Sequence, residues 1–127
     1  MGDISLYFSR REFACRCGCG YDTVDTELLD VLCEAREFFR APVIINSGCR
    51  CAAHNKAVGG APRSQHLIGR AADIRIPHVW PAELYDHLAS RHPGRLGIIL
   101  YPDFVHVDTR GIPLRSRMTI NNIPVGP

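Results

Sequence analysis

Three residues of the 127-residue chain carry metal-ligating side chains in a workable order: His66, Asp73 seven positions later, and His106. Two imidazoles and one carboxylate are a ligand set of catalytic zinc, in which three protein ligands leave a fourth position for water. If 71–76 is a strand, period-two alternation turns Ala72, Ile74 and Ile76 to a core and Asp73 to the opposite face. In 104–109 the same alternation buries Val105 and Val107 and puts Phe104, His106 and Asp108 together on the other side. His66 lies in a Ser-Gln-His-Leu-Ile-Gly loop, where Gly69 permits a sharp turn that returns the ring over the strand bearing Asp73. Spacing alone is a weak guide, because a single His on a strand is more often an ordinary polar surface or core residue.

The elements that must hold these residues follow from periodicity. Leu28, Leu32, Ala35 and Phe39 recur at helical spacing, widened by Leu29 and Phe38, and Asp25 stands where an N-cap belongs, so 26–40 is predicted as an amphipathic helix. Pro42 ends it, and Val43 to Ile45 reads as a short buried strand. A second helix is expected over 49–58, stopped by Gly59-Gly60, and a third from Pro81 to about Arg91, closed by His92-Pro93-Gly94. Strands are expected over 96–101 and 104–109, joined by a Pro102-Asp103 turn. The tail from Asn121, with two prolines and a glycine, reads as irregular. The expected fold is α+β, a small, mostly antiparallel sheet flanked by helices, in one domain over 1–127 with a Cys-rich segment at 1–20.

Composition narrows the function classes. Hydrophobic residues make up 46% and charged residues 22%, which suits a packed soluble domain. Fifteen Lys and Arg against thirteen Asp and Glu leave a net charge of +2, too balanced for affinity built on nucleic-acid phosphates. No apolar run approaches the roughly 20 residues of a membrane span, and no stretch near Met1 resembles an export signal, so neither nucleic acid nor membrane insertion is expected. A cytoplasmic chain acting as a monomer is the expectation.

Cys15, Cys17 and Cys19 would present all three thiols on one face of an extended segment. Cys49 and Cys51 repeat the C-x-C spacing. A structural zinc site is conceivable there, but closed sites usually use C-x₂₋₄-C pairs, which favours packing or redox roles. Cys33 reads as a small buried hydrophobe. His54, His78, His87 and His92 read as exposed polar residues, with His54 as a helper that orders the site loop.

The segment Ser64-Gln-His66-Leu-Ile-Gly69-Arg-Ala71-Ala-Asp73 resembles the SxHxxGxAxD signature of the zinc D-alanyl-D-alanine carboxypeptidase family, and Phe104-Val-His106-Val-Asp108 resembles its second metal motif. Ile45-Asn-Ser47-Gly48-Cys-Arg50, His54-Asn55 and Val58-Gly59-Gly60 are similar to its upstream block, so the resemblance runs over about residues 7–111. It implies a hedgehog/DD-peptidase-like fold, and one zinc ion on His66, Asp73 and His106. It also implies a substrate carboxylate or oxyanion met by Arg50, and Ser64 as a substrate contact. The activity implied is hydrolysis of a peptide bond in peptidoglycan stem peptides, by a D,D-carboxypeptidase or endopeptidase of phage or bacterial origin that reaches the cell wall after release. In several branches an acidic residue three positions before the second His is the general base, here Asp103. Asp108 is the rival base, or else orients a histidine. The family often carries a CxCGCG-like segment, which implies packing near Cys49 and Cys51, with a disulfide after release as one outcome. The alternative is a non-catalytic, zinc-stabilised binding or structural module.

Overall fold

A computed structural model describes residues 2–117, 119–120 and 123–124. Helix α1 (Thr26–Phe39) follows a single 3-10 turn at Arg10–Phe13. Strand β1 (Ile44–Ser47), helix α2 (Ala52–Ala57) and a 3-10 turn at Gln65–Ile68 lead to strand β2 (Ala71–Arg75). Helix α3 (Pro81–Arg91) and strands β3 (Gly97–Leu100), β4 (Val105–Asp108) and β5 (Leu114–Arg117) complete the main body. The sheet runs β1-β2-β4-β3-β5, antiparallel except for the parallel β3–β5 pair. The architecture is the expected α+β, and among the described residues no helix is long and apolar enough to cross a membrane.

Each element has a local cause. The apolar stripe of α1 buries Leu28, Leu32 and Ala35, and α3 buries Leu84 and Leu88. Against them the sheet turns Ile74, Ile98, Leu100, Val105 and Val107, all essentially without solvent contact. Pro81 opens α3, where its missing N–H costs nothing, and the Glu83 carboxylate accepts the Trp80 N–H at 3.4 Å. Asp25 takes the N-cap backbone of α1, and its carbonyl accepts the Leu29 N–H at 3.1 Å, but its side chain bonds none of the helix N–H groups. Its carboxylate instead accepts from the Thr109 hydroxyl at 3.1 Å, tying the helix entry to the end of β4.

The structure shortens or extends several expected elements. Cys49 and Arg50 stay out of α2 because their N–H groups bond Phe13 O and His66 O, both at 2.9 Å, which holds the chain extended until Cys51 caps the helix. Strand β1 runs past Ile45 to Ser47, with a register shift between them. Strand β5 had no expected counterpart, since Leu-Arg-Ser-Arg carries no apolar alternation. Within the tail from Asn121, Ile123–Pro124 (β7) pairs antiparallel with Thr119–Ile120 (β6), and the other tail positions lie outside the described residues.

Of the four histidines expected to be exposed only His78 is; His54, His87 and His92 are half-buried. His87 is wedged against the Phe38 ring, with centroids 4.0 Å apart, and its Nε2 lies 2.7 Å from Glu34. Among the described residues the buried His92 Nε2 meets no hydrogen-bond partner.

Candidate metal centre

Antiparallel register sets Asp73 of β2 directly opposite His106 of β4 and Ala71 opposite Asp108, so both acidic groups and the imidazole share the face away from the helices. His66 reaches them from the 3-10 turn. The Ser64 hydroxyl accepts the His66 N–H at 3.2 Å at the start of that turn. Gly69 ends it in the left-handed region at φ 71, where a Cβ would lie 2.4 Å from Thr23 O.

The hydrogen bonds settle which ring nitrogens face inward. His66 Nδ1 lies 2.6 Å from Gly48 O, and a carbonyl only accepts, so Nδ1 carries the proton and Nε2 is the inward lone pair of the neutral ring. His106 Nε2 lies 2.8 Å from the Asp108 carboxylate, so its proton sits there and Nδ1 turns inward. Those two nitrogens lie 3.3 and 3.1 Å from the same oxygen, Asp73 Oδ1. Tetrahedral donors about 2.0–2.2 Å from a zinc ion are themselves about 3.3–3.6 Å apart; the His66 separation meets that range and the His106 separation falls just short of it. In those tautomers three buried acceptor atoms converge on one point, and that donor set suits a cation.

The same proximity shifts the acidities of these groups. Burial pushes the Asp73 carboxyl up, but the facing His106 and His66 rings outweigh it and hold it well below the usual carboxylate range. Burial pulls His106 down, while Asp108 and Asp73 more than compensate and leave it raised. The other Asp73 oxygen accepts from the Arg50 guanidinium at 3.3 Å.

The sequence model of the family described as Peptidase M15 matches residues 6–108, which takes in every one of these groups. The chain belongs to the Peptidase M15 family. M15 proteins are zinc-dependent metallopeptidases, and the donor set described above suits that ion. No curated protein matches the chain.

In this M15 domain an open cavity of about 410 Å³ lies over the triad, walled by Arg50, Ser64, Tyr101 and Arg110 among others. Asp108 is fully buried behind His106: Arg110 donates to its two oxygens at 2.7 Å each, and the Arg110 N–H adds a bond at 3.2 Å. Burial raises the Asp108 carboxyl, but Arg110 and His106 hold it well below its usual range. Asp103 is exposed, in the turn between β3 and β4, and is not among the residues walling the cavity.

Asn55 and Tyr101 escaped the sequence reading as site residues. Asn55 is buried, accepts from Arg50 at 3.2 Å and donates to Ala61 O at 2.9 Å, so it performs the loop-ordering task expected of His54. Only its burial within an otherwise more exposed helix sets it apart, which sequence does not display. Tyr101 stacks on Phe104 with ring centroids 4.4 Å apart and lines the cavity. Burial, then the Asp73 charge, raises its phenol above the ordinary range, so it stays a donor. Period-two counting back from Tyr101 to Ile99, the cross-strand partner of His106, is the signal that could have found it.

Proposed function

We propose that the protein hydrolyses a peptide bond in peptidoglycan stem peptides, as a D,D-carboxypeptidase or an endopeptidase, acting on the cell wall after release. The observation that carries this reading is Arg50: a cation anchored by Asn55 and Asp73 beside three metal-donor atoms, at the floor of an open cavity. A guanidinium in that place suits a peptide's terminal carboxylate or the oxyanion of the reacting carbonyl.

His66, Asp73 and His106 would hold the zinc ion. When bound, it supplies Lewis-acid polarisation of the scissile carbonyl and a water acidic enough to ionise near neutral pH. Arg50 orients the carboxylate or oxyanion, Ser64 contacts the peptide, and Tyr101 donates from the cavity wall. Asp103 takes the attacking water's proton and returns it to the leaving amine, which requires the β3–β4 turn to swing its exposed carboxylate into the cavity. Asp108 is unsuited to that task, since His106 and Arg110 occupy both of its oxygens.

Incubating the zinc-loaded protein with defined muropeptides and weighing the products tests the reading. Loss of a terminal D-alanine identifies the carboxypeptidase and scission of a cross-link the endopeptidase. Intact muropeptides would favour the non-catalytic module instead. Cleavage unchanged in Asp103→Ala would remove Asp103 from its role.

A further inference from the structure

We propose that Cys15, Cys17, Cys19 and Cys51 form a second metal site, a closed four-thiolate zinc centre that ties the N-terminal segment to the block carrying Arg50. The four sulfurs lie within 4.8 Å of one another. Cys15 Sγ stands 3.4 Å from Cys17 Sγ and 3.8 Å from Cys51 Sγ, and Cys17 and Cys51 are 3.7 Å apart. A zinc ion about 2.3 Å from each of four tetrahedral sulfurs requires edges of about 3.8 Å, whereas a disulfide would draw a pair to about 2.05 Å.

The backbone prepares these sulfurs for negative charge. The Cys51 N–H donates to Cys15 Sγ and the His54 N–H donates to Cys51 Sγ, both at 3.4 Å. Such bonds stabilise thiolates, the form that binds metal. The C-x-C spacing is accommodated because the segment is not extended. Gly18 and Gly20 sit at φ 85 and 91, and the Gly18 N–H returns to Cys15 O at 3.2 Å, folding the thiols inward. Cys49 stays outside the cluster, where its thiol donates to Tyr21 O at 3.0 Å.

Each thiol releases its proton as the ion binds, so four thiolates surround one dication. Cys51 directly follows Arg50 and caps α2, the helix that carries Asn55, so the centre fixes the backbone from which Arg50 reaches Asp73.

The test counts metal and reads its ligands, independently of peptide cleavage. Protein purified under reducing conditions should carry about two zinc ions per chain, His66→Ala about one, and Cys17→Ser/Cys19→Ser about one. Cobalt-loaded His66→Ala should show intense thiolate-to-cobalt charge-transfer absorption. Absence of that band, or a disulfide among the four cysteines in freshly purified reduced protein, overturns the proposal. Neither readout needs a cysteine variant to fold, and neither changes if the peptidase reading fails.

Discussion

Replacing Asp108 by Asn should weaken zinc binding at the triad although the side chain touches no ion. Four donors surround the Asp108 carboxylate: His106 Nε2–H, the Nε–H and Nη2–H of the Arg110 guanidinium, and the Arg110 backbone N–H. An amide offers one acceptor oxygen. With that oxygen toward the Arg110 Nε and N–H, its NH₂ confronts the His106 Nε2 proton and drives the ring to rotate or change tautomer, which withdraws Nδ1 from the site. With the oxygen toward His106, the NH₂ confronts two Arg110 donors at a position with no solvent access. Loss of a histidine's outer hydrogen-bond partner costs about 10–100-fold in metal affinity, or roughly 1.4–2.7 kcal/mol. Breaking a buried ion pair costs about 3–5 kcal/mol, and about 2 kcal/mol is the fitting figure here because Arg110 can recruit water. Its side chain is 27% exposed. A competing chromophoric chelator measures the affinity, in a Cys17→Ser/Cys19→Ser background so that the triad alone is read, and thermal unfolding of metal-free protein measures stability. Zinc affinity within twofold of the parent, alongside a clear loss of stability, would refute the claim that Asp108 orients His106.

Arg50→Ala should raise KM for a carboxylate-ended peptide by about 10–100-fold, the worth of a charge-assisted hydrogen bond, and Arg50→Lys should recover only part because it lacks the planar fork. Equal KM in all three proteins would refute the assignment. Gly97→Ala places a Cβ 2.4 Å from Asp108 Oδ1, so the carboxylate must shift, at a cost of about 1–3 kcal/mol seen as a lowered Tm. An unchanged Tm would show that Asp108 has room to yield. Burial raises Glu34, but hydrogen bonds from His87 and Arg91 outweigh it and leave the carboxyl below its ordinary range. A carboxyl depressed in the folded state contributes stability above its unfolded pKa and loses it as pH falls through the folded one. The Tm gap between wild type and Glu34→Gln should therefore be widest near neutrality and close below about pH 4, and a gap constant with pH would sink that reading.

Legibility in the sequence followed the range of the interactions. Helices α1 and α3 and strands β2 and β4 could be read because each buries a periodic stripe, and the same alternation put Asp73, His106 and Asp108 on one face. The reach of His66 back to that face rests on Gly48 O and Thr23, contacts far away along the chain. The overlong second helix has the same origin, since propensity in 49–58 yields to backbone bonds from Phe13 and His66. Strand β5 carries no apolar code: the Leu114 N–H bonds Leu96 O, and Arg115 reaches the carbonyls of Leu96 and His92. The thiols meet near Cys51 as expected, but by a different route. Alternation assumes extended backbone, and the turns at Gly18 and Gly20 bring Cys51, rather than Cys49, to the N-terminal cysteines.

Charge at the cavity floor bears on the choice between the two peptidase activities. Asp73 divides its oxygens, one toward the imidazoles and one toward Arg50, so a single carboxylate faces two cationic partners once a divalent ion is held. The formal charge is then about plus two, from a dication, one guanidinium and one carboxylate. Arg110 adds nothing to that excess, because Asp108 neutralises it. In a partly desolvated cleft such an imbalance favours an anionic group of the substrate near the scissile bond. A stem peptide ending in a free carboxylate meets that demand, whereas the same peptide amidated at its end leaves Arg50 without an anion. On the proposed reading, discrimination against the amidated peptide identifies a carboxypeptidase, and indifference to amidation identifies an enzyme that uses Arg50 on the oxyanion of an internal bond.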